Sequence, residues 1–263
     1  FSVSGMTTDY LQNPIGIEAD SVHFGWRMNS GIIGKMQSAY RIQVYRAGDE
    51  EPVWDSGKVE SSDSVGIPYG GETPLEEGTA YQWTVTVWDE DGVSATSDMG
   101  TFETGVTNQD TWKNAEFIRL NQSSSAPIFR TEQKLQSQVA SARLYITALG
   151  AYQAYINGER AGTVDAEGNT EYHHMNPGYG NGNVSLGYQT YDVTSLLEGE
   201  DTAAVSVLAG NGWKFGLATT SAQPAVKAWL KVTYTDGSRQ DIVTNTSDWK
   251  GTLDGGIIRN GIY

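Results

Sequence analysis

The chain has no cysteine among its 263 residues. That excludes disulfides, thiol catalysis and cysteine-ligated zinc, and it leaves oxidising and reducing compartments equally open. Positive charge is scarce: 17 Lys and Arg stand against 32 Asp and Glu, a net charge of −15. A surface this acidic repels phosphate, which argues against nucleic acid and anionic membranes as partners. No apolar run approaches the ~18 residues that a membrane-spanning helix needs. The chain opens on Phe1-Ser2-Val3-Ser4. With neither an initiator Met nor a charged-then-apolar leader, that start is expected of a fragment trimmed from a longer protein.

What is present is glycine, 31 residues, and aromatic side chains, 11%. Hydrophobic residues make up 38%, enough apolar surface to offset chain entropy. With few helix-period stretches, this composition points to an all-β chain. At about 150 residues per domain the length predicts two domains. Charge divides unevenly between them. Residues 1–106 hold 5 basic and 17 acidic residues, net −12; residues 107–263 hold 12 and 15, net −3. The acidic half reads as a spacer, and the near-neutral half as the better place to meet an uncharged ligand.

Period-2 alternation marks the strands. Tyr40, Ile42 and Val44 share one face of a predicted strand. In Thr79–Asp89, Tyr81, Trp83, Val85 and Val87 share one face and Gln82, Thr84, Thr86 and Trp88 the other. Asp91-Gly92 predicts a tight turn after it. The run Asp89-Glu90-Asp91 is expected to be a solvated turn. Trp26, Trp54, Trp83 and Trp88 are expected to pack the first sandwich. Thr104–Asp110 is polar and reads as a linker. Beyond it, Ala142, Leu144, Ile146 and Ala148 alternate with polar residues, and Asn157-Gly158 follows another alternating run. Asn-Gly between such runs predicts a hairpin, because both turn positions need positive φ. Further strands are expected at Tyr191–Val193, Ala203–Leu208 and Ala225–Tyr234, with one helical turn near Asp192–Leu197. Residues 162–183 are rich in Gly and Asn, and a loop of that length is expected to be functional or mobile.

Few residues suggest chemistry by themselves. Asp165, Glu167 and Asn169 alternate as oxygen donors, but lack the glycine and distal glutamate of a calcium loop. His173-His174 would point to opposite sides of an extended segment, and no partner spacing for zinc accompanies them. Tyr172, Tyr179 and Trp213 lie in loop-rich segments, where aromatic rings can stack on the C–H faces of a sugar.

Larger strings carry a resemblance. Leu75-Glu76-Glu77-Gly78-Thr79-Ala80-Tyr81 resembles the tyrosine corner of fibronectin type III domains, in which the tyrosine hydroxyl bonds back to upstream backbone. The strings Leu11–Ile17, Phe24-Gly25-Trp26-Arg27, Trp54–Val59, Ala151–Gly158, Asn176-Pro177-Gly178-Tyr179, Tyr188–Thr194 and Leu208–Trp213 together resemble, in order, the N-terminal half of bacterial α-L-rhamnosidases, glycoside hydrolase family 78. The resemblance implies two consecutive β-sandwiches: a fibronectin type III-like domain at 1–106 and a jelly-roll-like rhamnosidase N-terminal domain at 107–263. In the family an (α/α)6 barrel follows, and an Asp general acid and a Glu general base perform an inverting hydrolysis of terminal α-L-rhamnosyl linkages. The chain stops at Asn260-Gly261-Ile262-Tyr263, before any barrel, so no catalytic residue is carried over and the chain alone is expected to be inactive. The barrel of the parent is the expected partner, with rhamnose-containing glycans as a further one. A related carbohydrate-binding module, family 67, binds rhamnose with calcium through an Asp-Asn pair and an aromatic ring. The matching positions here are Ile156-Asn157 and Tyr179. Isoleucine cannot coordinate a hard cation, so no cofactor is expected and calcium is disfavoured. Asn157, Tyr172, Tyr179 and Trp213 are the candidate sugar-contacting residues. A lectin-like module and a purely structural spacer are the competing readings.

Overall fold

The computed structural model describes residues 1–108, 110–122, 126–164, 169–171, 186–212 and 223–255. The chain divides into two compact units, Phe1–Thr107 and Asn108–Tyr263. Both are all-β.

Unit 1 holds β1 (Ser2–Thr8), β2 (Ile15–Ile17), β3 (His23–Asn29), β4 (Gln37–Arg46), β5 (Pro52–Asp55), β6 (Ile67–Pro68), β7 (Ala80–Asp89), β8 (Ser94–Thr96) and β9 (Gly100–Thr104). One sheet has the order β1-β3-β6; the other runs β2-β9-β7-β4-β5, with β8 also paired to β7. The alternation read from the sequence sets the register. Ile42 faces Val85 and Val44 faces Trp83 across β4 and β7. These residues, with Tyr40, Tyr81 and Val87, are buried against Phe24 and Trp26 of β3. The Phe24 and Trp83 rings lie 4.6 Å apart. Each such side chain contributes roughly 1.5–3 kcal/mol of burial.

Trp26 and Gln37 share a hydrogen-bond network in this core. Trp26 Nε1 donates to Gln37 Oε1 at 2.8 Å, and Gln37 Nε2 donates to the carbonyls of Ser61 and Asp63 at 3.1 and 2.8 Å. The tyrosine corner closes: the Glu76 N–H donates to the Tyr81 hydroxyl at 2.8 Å. Two expectations need correction. Trp88 is not a core residue; it stands half-buried on the outer face of its sheet, with Lys58 Nζ 5.2 Å from its ring centroid. A period of two sends it there, opposite its inward neighbour Val87. Asp89-Glu90-Asp91 is not simply a solvated turn, as described below.

Unit 2 holds β10 (Ile128–Lys134), β11 (Val139–Leu149), β12 (Ala151–Ile156), β13 (Glu159–Arg160), β14 (Thr163–Val164), β15 (Thr170–Glu171), β16 (Gln189–Asp192), β17 (Thr202–Gly210), β18 (Ala225–Tyr234), β19 (Arg239–Val243) and β20 (Lys250–Thr252). A 3-10 turn spans Thr194–Leu196. It is started by Asp192, whose Oδ1 accepts the Thr194 N–H at 3.0 Å. Two main sheets form, β13-β12-β17-β10-β20 and β16-β11-β18-β19. Leu144 and Ile146 of β11, Val205 and Val207 of β17, and Leu230 and Val232 of β18 belong to the core between them. The sheet containing β11 is buried on its other side as well: Tyr145 and Thr147 are both 5% exposed or less.

Gly150 makes this sandwich possible. It is the single residue between β11 in one sheet and β12 in the other, and it holds φ +115°. A Cβ there would lie 2.2 Å from the carbonyl oxygen of Gly210. Only glycine can turn the chain through so tight a corner against another backbone.

Candidate functional site

Of the four candidate sugar-contacting residues, Tyr172, Tyr179 and Trp213 lie outside the described residues, as do His173, His174, Asp165 and Glu167. Asn157 is described. It forms a two-residue hairpin with Gly158, Ile156 pairing with Glu159 around them. Both turn residues have positive φ, +50° and +89°, as the Asn-Gly sequence predicts. The side chain then does more than turn the chain. Its Oδ1 accepts the Ala204 N–H at 2.8 Å, and its Nδ2 donates to the carbonyls of Thr202 at 3.0 Å and Leu196 at 3.4 Å. The amide thus ties the hairpin tip to the start of β17 and to the end of the 3-10 turn. Its neighbour Ile156 is fully buried in the core and faces no ligand. Among the described residues no group of three or more His, Cys, Asp or Glu side chains could hold a metal ion.

Several polar side chains near this core are likewise engaged. Tyr152 donates to Gln189 Oε1 at 2.7 Å and lies 3.4 Å from the Tyr191 hydroxyl. Desolvation pushes the Tyr152 phenol well above its ordinary pKa, so it stays a neutral donor. Tyr145 stacks on Trp229 at 4.8 Å. Trp229 Nε1 donates to Asp241 Oδ1 at 2.8 Å, and Arg239 reaches the same carboxylate at 2.7 Å while covering the Trp229 ring. Lys227 sits 5.0 Å from the Trp112 ring centroid, and burial lowers its pKa.

The described residues include two depressions of note. A small one of about 120 Å³ in unit 2 is lined by Thr131, Gln133, Gln240, Asp241, Asn245 and Asp248, among others. Its two carboxylates already accept hydrogen bonds from the fold, Asp241 as above and Asp248 from Asn245 Nδ2 at 3.0 Å. They serve as structural acceptors. A wider cleft of about 450 Å³ in unit 1 is lined by Glu18, Asp20, Leu75, Glu77 and Thr107, among others. Glu77 Oε1 there accepts the Thr107 N–H at 3.2 Å.

One cluster escapes a local reading. Asp89 is only 4% exposed in its side chain, and Lys35, 12% exposed, reaches it at 3.1 Å. The same Nζ contacts Asp91 and lies 3.9 Å from Glu90 Oε1. Asp89 Oδ1 also accepts the N–H groups of Asp91 at 3.0 Å and Val93 at 2.9 Å. Burial alone would raise the pKa of Asp89, but Lys35 and these two N–H groups outweigh it and hold the carboxyl below its ordinary range. The expected solvated turn is thus an ion cluster. Its cation comes from 54 residues upstream of Asp89, where no local pattern could have shown it.

Comparison with known proteins accounts for most of the chain. Residues 3–108 match the family model of the Rha78A-like N-terminal immunoglobulin domain. Residues 137–263 match that of the alpha-L-rhamnosidase N-terminal domain. An alpha-L-rhamnosidase of Formosa agariphila is 34% identical over 278 residues, covering 96% of this chain and 28% of the relative. One of Alteromonas sp. is 32% identical, covering 93% and 28%. Among solved structures, native alpha-L-rhamnosidase of Aspergillus terreus has a TM-score of 0.82 at 32% identity, covering all of this chain and 30% of that one. That of Dictyoglumus thermophilum has 0.78 at 29%, covering 96% and 30%. The chain therefore spans under a third of the length of these relatives.

Proposed function

We propose that this chain, which belongs to the α-L-rhamnosidase family through both of its domains, is the non-catalytic N-terminal β-region of an enzyme that hydrolyses terminal α-L-rhamnosyl linkages in glycosides or polysaccharides. One observation carries the reading: relatives match nearly all of this chain while it spans under a third of them. Inverting glycoside hydrolysis needs an acid and a base about 6.5–9.5 Å apart with a water between. The acidic groups Asp89, Asp241 and Asp248 are already bound by partners within the fold. The acid and base then come from the (α/α)6 barrel that the family carries. The β-region braces that barrel, and Tyr172, Tyr179 and Trp213 offer rings for a sugar. Asn157 contributes through its hairpin, its amide being spent on Ala204 and Thr202.

The test is hydrolysis of an aryl α-L-rhamnoside. The purified chain is expected to be inactive, and the full-length enzyme active. Deleting the region equivalent to residues 1–263 from that enzyme is expected to shorten its half-life on heating. Turnover by the chain itself would overturn the non-catalytic role. Unchanged activity and half-life after the deletion would overturn the bracing role.

A further inference from the structure

The connection from β3 to β4 reads Gly31-Ile32-Ile33-Gly34-Lys35-Met36. Ile33 is fully exposed, and Ile32 and Met36 are about two-thirds exposed at 65% and 64%. Val93, on the adjoining β7–β8 turn, is 53% exposed. Single exposed apolar residues are ordinary, but a cluster marks an interaction surface. This cluster is held in place. Lys35, between the isoleucines and Met36, is locked into Asp89 and Asp91. The Met36 N–H donates to Glu90 Oε2 at 3.0 Å, and Val93 bonds to Asp89. The ion cluster therefore works as a footing that presents four apolar side chains in a fixed arrangement.

We infer that Ile32, Ile33, Met36 and Val93 form a docking tip for the remaining polypeptide of the α-L-rhamnosidase. The inference rests on the functional reading above. Two observations select this occupant. More than two-thirds of the relatives' length lies outside the chain, so a large intramolecular partner goes with this region. A second copy of the chain is disfavoured, because each copy brings a unit with 5 basic and 17 acidic residues, and like-charged surfaces repel. The rim fixes the partner's chemistry. Glu90 and Asp91 keep 47% and 72% of their side chains exposed around the tip. The complementary surface is an apolar patch edged by Lys or Arg.

Oxidation of Met36 to its sulfoxide, which tracks exposure, tests this. The purified chain and the full-length enzyme are treated with dilute peroxide and the sulfoxides counted by mass spectrometry. Met99, 53% exposed, is the reference. It precedes Gly100, which pairs with Trp83, six residues along β7 from Asp89 and so about 20 Å away. The Met36-to-Met99 oxidation ratio is expected to fall at least tenfold from chain to enzyme, and to recover in enzyme carrying Ile33→Asp. Equal ratios in chain and enzyme would overturn the inference. So would protection of Met36 in the chain alone at raised concentration, which would make a second copy the occupant. Ile33→Asp in the chain is expected to leave its urea midpoint unchanged, so recovery in the enzyme reports docking and not misfolding. Turnover of the aryl rhamnoside by the same enzyme sample tests the functional reading separately, and the oxidation ratio alone decides the docking.

Discussion

Replacing Asn157 by alanine should unsettle the second unit more than most substitutions at a surface hairpin. Three losses combine. The Ala204 N–H loses its acceptor at 2.8 Å, and an unpaired, partly buried donor costs about 1–3 kcal/mol. The bond to the Thr202 carbonyl at 3.0 Å disappears, which is worth about 1 kcal/mol. Alanine must also hold φ +50°, where an ordinary L-residue is about 1 kcal/mol worse off than asparagine or glycine. Together these give about 3–5 kcal/mol. At about 2–4 °C per kcal/mol for a unit of this size, the thermal midpoint of unit 2 should drop by roughly 6–20 °C. Asn157→Gly separates the causes: it relieves the backbone and loses only the bonds, so it should be about 1 kcal/mol milder. Calorimetry of the two variants beside wild type decides. An alanine variant within about 0.5 kcal/mol of wild type would refute the argument that the amide staples β12 to β17. A glycine variant as poor as the alanine one would refute the backbone share of it.

Two further substitutions probe unit 1. Tyr81→Phe removes the acceptor of the Glu76 N–H without changing the packing of the ring, and should cost about 1–2 kcal/mol, read as a lowered urea midpoint for unit 1. The Lys35 cluster should be visible in pH. Asp89 has a lowered folded pKa, so the unfolded chain binds its proton more readily. The stabilisation is complete above the unfolded value near 4 and is lost as pH falls through the folded one. Lys35, raised above its ordinary range by its hydrogen bonds to Asp91 and Asp89, stabilises fully below its unfolded value of about 10.4 and loses this as pH rises beyond it. Unit 1 should therefore weaken below about pH 4 and above about pH 10, and Lys35→Met should flatten both limbs. Unfolding midpoints from pH 2 to 11 test this; acid and alkaline limbs that survive in Lys35→Met would assign them to other groups.

Where the sequence was informative, the physics was local. A strand buried on one face must alternate, so the inward set of β7, Tyr81 to Val87, could be read without a partner in view. The Asn157-Gly158 turn was legible for the same reason, since two adjacent positive φ values demand those residue types. So was the tyrosine corner, where the donating N–H and the accepting hydroxyl stand five residues apart. Trp88 was misassigned although its face was correctly read. Bulk argues for the core and register for the surface, and register wins, because moving one side chain inward would turn out its neighbours.

Charge and crossings obey other constraints. Asp89-Glu90-Asp91 looks solvated because acids in a row repel and seek water, and that holds only while no cation lies nearby. The cation here arrives from another loop. The alternation of β7 turns Asp89 inward, and Lys35 with two backbone N–H groups keeps it charged there. The same lysine ties the isoleucine loop to the β7–β8 turn. Gly150 makes the same point for the second unit. In the sequence it is a glycine between two alternating runs, which suggests a plain turn between paired strands. In the fold β11 and β12 are not paired at all; they lie in opposite sheets, and the glycine is needed because the Gly210 carbonyl occupies the space where a Cβ would sit. Alternation specifies which side of a strand faces the core, and leaves open which sheet the strand joins. That choice depends on backbone meeting backbone about 60 residues away in the chain, so sandwich topology is the part of this fold that no local pattern encodes.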